Sequence, residues 1–183
     1  MTCPIPAENN FPATPEDVFA VLHALGVPYA LFHHPAVFTV AESEGIEMDI
    51  PGGHCRNLFL RNKKEAMFLV SALNETRIDL KKLGAALDAG RFSFGSPERL
   101  WTYLGVRPGS VCPYAVMNDH QGAVTAVLDA AIMTHEVVNF HPLVNTMTIG
   151  VSPAGLLTFM SHFGHKPLVL DMTALAPDIM PQE

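Results

Sequence analysis

Apolar residues recur with two different periods along this chain, and the changes of period divide it into helices and strands. Val18, Val21, Leu22 and Leu25 keep helical spacing. Thr14 precedes them as a cap, Pro15 suits the first helical position, Glu16 and Asp17 favour the positive end of the dipole, and Gly26 stops the run. Tyr29 to His34 reads as a strand ended by Pro35, and residues 37–40 lead into a short acidic segment, 41–49. Leu58-Phe59-Leu60 and Met67 to Ala72 form a hairpin around the polar turn at 62–65. Asp79 opens a helix carrying Leu80, Leu83 and Leu87 on one face and ending near Gly90. Arg91 to Phe94 alternates as a short strand, and Ser96-Pro97-Glu98 opens a helix through Leu104. Tyr114 to Met117 and Val124 to Leu128 read as a second hairpin around residues 118–122. Val137 to Phe140 and Thr146 to Val151 are further strands, Ser152-Pro153 begins a last helix through His162, and Leu168 to Leu170 closes the sheet. Helices interleaved with hairpins predict an α/β or α+β class, with a mixed, largely antiparallel sheet flanked by helices.

Length sets the organisation. With 183 residues, 49% of them hydrophobic, the chain suits one domain with a substantial core. The division expected is an extended or disordered arm over 1–13, a single domain over 14–172 and a tail over 173–183. No run of about 18 apolar residues marks a membrane span, and the first ten residues lack the basic-then-apolar pattern of a signal peptide. Cys3, Cys55 and Cys112 are odd in number without a CxxC spacing, which argues against a disulfide framework. The expectation is a soluble, cytoplasmic protein.

Charge is unevenly placed. Residues 1–55 carry −7, residues 56–107 carry +5 with ten of the eleven Lys and Arg, and residues 108–183 carry −5. A basic middle third inside an acidic protein reads as the footprint of a polyanion, with Arg61, Lys63, Lys64, Lys81 and Lys82 as its candidates. The competing reading makes Lys63-Lys64 a hairpin turn and Lys81-Lys82 a solvated helix face.

Candidate chemistry centres on residues 51–62, Pro-Gly-Gly-His-Cys-Arg-Asn-Leu-Phe-Leu-Arg-Asn. A turn made easy by Gly52-Gly53 stands before a cation, an amide and a buried-strand triplet, so a rigid strand aims Arg56 and Asn57 as one polar pair. A loop entering a core strand with a surface Arg is the plainer alternative. The loop from Gly109 through Ser110, Val111 and Cys112 to Pro113 offers consecutive backbone N–H groups to a carbonyl or phosphate oxygen. His141, at a strand end before Pro142, is a third candidate beside the reading of a structural histidine. Nine histidines raise zinc hydrolysis, but there is no HExxH and no paired CxxC. A Cys55 or Cys112 nucleophile with His141 lacks a signature as well.

These stretches, taken in order over residues 14–172, resemble the YbaK-like aminoacyl-tRNA editing domains. The resemblance lies in PGGHCRNLFLRNKK, in Ser71-Ala72-Leu73 followed by Ile78 to Leu83, and in Arg91 to Gly95. It continues through Leu104 to Pro113 with Asn118-Asp119, and through Asn139 to Leu143 with Asn145 and Thr148. It implies a curved sheet of the YbaK and prolyl-tRNA synthetase-associated fold, and an ester hydrolase that removes alanine mischarged on proline tRNA. Arg56, Asn57, Gly109 and His141 are the implied catalytic group. Ser71, Ser110, Val111, Cys112, Pro113, Asn118 and Asn145 are the implied substrate contacts. Arg56, the Gly109-led loop and His141 are expected to converge on one cleft. The implied partners are the tRNA acceptor end and prolyl-tRNA synthetase or an elongation factor, with no metal or other cofactor, no DNA and no membrane. One departure stands out: Arg56 occupies the position where the family has lysine. A phosphate anchor tolerates that exchange and a proton donor does not, so a non-catalytic tRNA-binding protein is the alternative.

Overall fold

The computed structural model describes residues 12–36, 45 and 49–177. Four helices, α1 (Pro15–Ala24), α2 (Leu80–Ala86), α3 (Pro97–Leu104) and α4 (Pro153–His162), start from side-chain caps at Thr14, Asp79, Ser96 and Ser152. Thr14 makes the full capping box: Asp17 N–H donates to its hydroxyl, and its own N–H donates to the Asp17 carboxylate. Three of the four have proline in the first turn, where a missing N–H costs nothing.

Eight strands form one sheet: β1 (Tyr29–His33), β2 (Gly53–Asn62), β3 (Met67–Leu73), β4 (Phe92–Phe94), β5 (Val124–Asp129), β6 (Val138–Phe140), β7 (Met147–Val151) and β8 (Leu168–Leu170). Their order is β1-β7-β6-β2-β3-β5-β8, with β4 also paired to β2. Pairs β1–β7, β6–β7, β2–β3 and β2–β4 are antiparallel. Pairs β2–β6, β3–β5 and β5–β8 are parallel. Every residue of β3 is buried, as its apolar run, interrupted by Ser71, requires.

Two apolar layers cover the sheet. The larger joins Val18, Val21 and Leu22 of α1, Leu100 and Leu104 of α3, and Leu156, Phe159 and Met160 of α4 to one face. The smaller packs Leu83 of α2 and Met172 against Leu60, Phe68, Val70 and Val127 on the other. Alternation along β2 and β3 allots the residues: Phe59, Met67 and Leu69 to the first layer, Leu60, Phe68 and Val70 to the second.

The second hairpin expected from the sequence does not form. Residues Pro113–Asn118 are a 3₁₀ helix in the larger layer, because Pro113 has no N–H for a ladder and presets a helical φ. Asp119 then closes the loop, its carboxylate accepting from Ala123 N–H at 2.9 Å and Val124 N–H at 2.7 Å. Strand β5 therefore finds parallel partners in β3 and β8 instead of a hairpin partner. At the domain's start, Ala13 is buried and donates its N–H to Asn118 Oδ1 at 2.9 Å. Residues 1–11 of the expected arm, the segment 37–44 with 46–48, and residues 178–183 of the tail lie outside the described residues; within the tail, Thr173–Leu175 is a 3₁₀ turn.

Gly84 sits inside α2, where a Cβ would run into the Gly90 carbonyl oxygen. The Gly84→Ala variant is expected to lose about 1–3 kcal/mol of stability, despite alanine's better helix propensity, because the contact is with backbone that cannot swing away. Urea denaturation measures it.

Candidate active site

Strand β2 is shared between two halves of the sheet. Gly53 and His54 pair in parallel with Val138 and Asn139, and from Cys55 onward the strand pairs with β3. Past those two pairs β6 stops at Phe140 and Pro142 turns the chain away, so the strands part in a wedge. Arg56 and His141 each lie two residues beyond the last pair. By alternation Arg56, with His54, Leu58 and Leu60, belongs to the face of the second layer, and Asn139, the register partner of His54, belongs there too. Asn57 is on the opposite face, with Cys55 and Phe59. The sequence reading of Arg56 and Asn57 as one jointly aimed pair is thereby corrected: neighbours on a strand point to opposite sides.

Arg56 is half-buried and held. Its Nη2 donates to the Thr76 carbonyl oxygen, and Thr76 is fixed in turn by its hydroxyl, which donates to the buried Asp129 carboxylate at 2.7 Å. The Arg56 Nε is buried without a partner. A second orphan lies on the same face, Asn139 Oδ1, while the Asn139 amide donates to Pro51 O at 3.1 Å and Gly53 O at 3.4 Å. Two unpartnered polar atoms in a buried setting are costly unless something arrives to meet them. The turn before β2 is pressed against β6: Gly52 has φ +111°, and a Cβ there would stand 2.8 Å from Val137 O.

Imidazoles line the same side. His141 Nδ1 lies 2.8 Å from Met147 O; a carbonyl accepts, so Nδ1 carries the proton. His34 donates from Nδ1 to Pro35 O at 2.8 Å and accepts at Nε2 from the Thr148 hydroxyl at 2.9 Å. Its ring centre is 5.7 Å from that of His141. His54 donates from Nε2 to Ile50 O at 2.8 Å. Three fixed rings, one amide oxygen and one guanidinium thus share a face suited to positioning an ester and orienting hydroxyls.

The Gly109-led loop reaches the wedge from the other layer. Cys112 is fully buried, and Leu143 N–H is directed at its sulfur; the Tyr114 and Phe140 rings meet edge to face at 6.3 Å. The loop's outer end lies elsewhere. Gly109 is exposed with φ +90°, and Ser110 N–H donates to Arg107 O at 3.0 Å, so one of the expected free amides is already engaged. Ser110 and Asn145 line a separate groove of about 470 Å³ with residues 12–15, Trp101, 105–108, 143 and 144. Alternation therefore puts Arg56 and His141 on one face past the last β2–β6 pair and the Cys112 end of the loop in the layer on the other, while Gly109 itself stands apart.

Several implied contacts prove to be internal. Ser71 is fully buried and donates to Asn57 Oδ1 at 2.6 Å. Asn118 accepts from Ala13 and donates to Leu104 O at 2.8 Å, which ties the end of α3 to the start of the domain. Pro113 is buried and Val111 packs half-buried against the larger layer. Among the candidate RNA contacts, Arg61 and Arg99 share Glu65, and Lys82 donates to Ala176 O at 2.9 Å; Lys63, Lys64 and Lys81 are exposed. Thr76 and Asp129, which hold Arg56, were not legible beforehand, because their link spans 53 positions. Asn139 was legible in principle, two residues before His141 on the same face of a strand.

Among the described residues, no group of three or more His, Cys, Asp or Glu is arranged to hold a metal, and no helix is long and apolar enough to cross a membrane. Residues 34–159 match the aminoacyl-tRNA editing domain. The chain belongs to that family. Among similar proteins of the editing family is prolyl-tRNA synthetase associated domain-containing protein 1 of Bos taurus, 37% identical over 82% of this chain and 90% of that one. Another is the prolyl-tRNA editing protein ProX of Acetoanaerobium sticklandii, 35% identical over 74% of this chain and 83% of its own. A crystal structure described as a candidate trans-editing enzyme for prolyl tRNA synthetase superposes with a TM-score of 0.65 at 20% identity, covering 86% of this chain and 95% of that one. At that identity the likeness is one of fold.

Burial pushes the Cys112 thiol up from 9.0 to about 11, and the N–H groups of Leu143, Ala115 and Tyr114 lower it only in part. Folding therefore favours the protonated thiol. That contribution is complete below the ordinary thiol value and is lost as pH rises towards 11. Native Cys112 is expected to resist iodoacetamide at pH 8 and to react once the protein is unfolded in urea; peptide mass spectrometry reads the outcome, and rapid native labelling would contradict the buried placement.

Proposed function

We propose that this editing-domain protein is a trans-acting deacylase that hydrolyses the ester of a small mischarged amino acid, alanine, on proline tRNA. The observation that carries the reading is the shared face at the wedge: a guanidinium and an imidazole, each two residues past the last β2–β6 pair, beside two buried polar atoms without partners.

The chemistry needs no group that loses a proton at Arg56. Water attacks the ester carbonyl, the carbon–oxygen bond to the ribose breaks, and the ribose oxygen leaves as a hydroxyl. Arg56, braced by the Thr76 carbonyl, anchors a phosphate of the terminal nucleotide. His141, its ring set by the Met147 carbonyl, orients the ribose hydroxyl or the attacking water. The N–H groups of Val111 and Cys112 stand as candidates to stabilise the oxyanion, since Gly109 stands apart, Ser110 N–H is engaged and Pro113 has none. The exposed Lys63, Lys64 and Lys81 serve the more distant tRNA phosphates. A cytoplasmic setting beside prolyl-tRNA synthetase or an elongation factor follows from the same reading.

A second reading has one observation in its favour: a guanidinium fills the family's lysine position and already gives one N–H to Thr76. It makes the protein a tRNA binder without turnover. Release of alanine from mischarged proline tRNA separates the two. Activity in the wild type sinks the binder; inactivity rescued by Arg56→Lys sinks the deacylase.

Two outcomes are expected of Arg56→Ala. Its kcat/KM falls at least tenfold, and the slope of log affinity against log salt becomes shallower by about 1, the share of one phosphate contact. An unchanged slope in filter binding at 50 to 200 mM salt, with concentrations chosen as ~2-fold steps, would remove the anchor role.

A further inference from the structure

The carboxylate of Asp129 has no part in the reaction just described, yet it is fully buried. Its Oδ2 accepts from the Thr76 hydroxyl at 2.7 Å and its Oδ1 from Ala131 N–H at 3.2 Å. Among the described residues, no lysine, arginine or histidine stands in ion-pair contact with it. A carboxylate shut away from water without a direct ionic partner is costly to keep.

The sheet places that charge in one row with Arg56. Arg56 is the register partner of Ala72 across β2 and β3, and Asp129 stands one step past the last β3–β5 pair, Ser71 with Leu128. The three residues therefore run side by side over three strands. Ala72 and Val127 belong to the second apolar layer, so alternation puts Asp129 on that face with Val127, and Arg56 there with its partner Ala72. Two strand spacings, about 10 Å at Cα, separate the outer pair, and the methyl group of Ala72 is the only side chain between them in the row. Thr76 bridges that gap. Its N–H donates to Leu73 O at 3.0 Å in the turn leaving β3, its carbonyl accepts from Arg56 Nη2, and its hydroxyl donates to Asp129.

We infer that Asp129 is a positioning residue for Arg56: acting through Thr76 and across Ala72, it supplies the buried counter-charge that aims the guanidinium. Hydrogen bonds in series polarise one another, and a charge held away from solvent is weakly screened. One N–H of the guanidinium is spent on the brace and the others remain for a ligand. That this ligand is a phosphate rests on the deacylase reading. The brace itself does not.

Two substitutions separate the parts. Asp129→Asn keeps the shape and removes the charge; Thr76→Val removes the hydroxyl and keeps the carbonyl that Arg56 uses, and it serves alone if Asp129→Asn does not fold. In heteronuclear NMR spectra, the Arg56 Nε–H signal is identified by its loss in Arg56→Ala. Its exchange with water is expected to be slow in the wild type and about tenfold faster in either variant. Filter binding of a short RNA hairpin ending in unpaired CCA reads the consequence. Thr76→Val is expected to weaken binding about tenfold beside Arg56 and by less than about twofold beside Arg56→Ala, because the loss passes through the guanidinium. A loss of equal size in both backgrounds marks a merely structural role and overturns the inference, as does an unchanged Nε–H exchange rate. If the wild type binds no hairpin, the phosphate-anchor role fails and the exchange rates alone decide the brace.

Discussion

The whole arrangement depends on β2 changing partners. β3 holds one edge of this ten-residue strand from Cys55 to Arg61, while on the other edge β6 pairs with Gly53 and His54 and β4 with Leu60 to Asn62, so the sheet opens between those two partners. Open sheets place ligand sites where neighbouring connections diverge, because backbone groups and side chains there have no lateral partner to occupy them. Here the divergence leaves Arg56 on one wall and His141 on the other. The burial of β3 on both faces and the caps of the four helices make that opening stiff, since neither side can close without disrupting a packed layer.

Much of the architecture was legible in the sequence because local chemistry and the tertiary fold agree. Caps at Thr14, Asp79, Ser96 and Ser152 mark the starts of the four described helices, and alternating or largely apolar runs mark the strands. The failure at Tyr114 to Met117 is physical: a short buried apolar run looks alike in a strand and in a helical turn, and Pro113 decided it for the turn. The parallel pairing of β5 was equally hidden, since partner choice is settled by packing across the sheet. At the site, residue types were readable but sides were not. Arg56 and Asn57 are adjacent in sequence and separated by the thickness of the sheet, and Asn118, polar and close to the Gly109 loop in sequence, is consumed in joining α3 to residue 13.

The basic middle third illustrates how far charge counting goes. Two of its arginines, Arg61 and Arg99, converge on one carboxylate, Arg107 lies over an indole, and Lys82 reaches a backbone carbonyl. What remains for a polyanion is a smaller exposed set, Lys63, Lys64, Arg77, Lys81 and Arg91. Arg56 differs from all of these in being anchored from beneath, through a carbonyl that a buried aspartate holds in place. A guanidinium has enough donors to keep that tether and still present others, which a single ammonium at the same strand position does less easily.

Gly52 acts as a gauge for the wedge. Its bare Cα lets the turn rest directly on the Val137 carbonyl, so the aperture between β2 and β6 is set by backbone against backbone and not by a side chain that repacks. Two backbones in van der Waals contact cannot yield by changing a rotamer, so this edge of the opening is stiff. The missing methyl group thus sets how closely the turn and the end of β6 can approach.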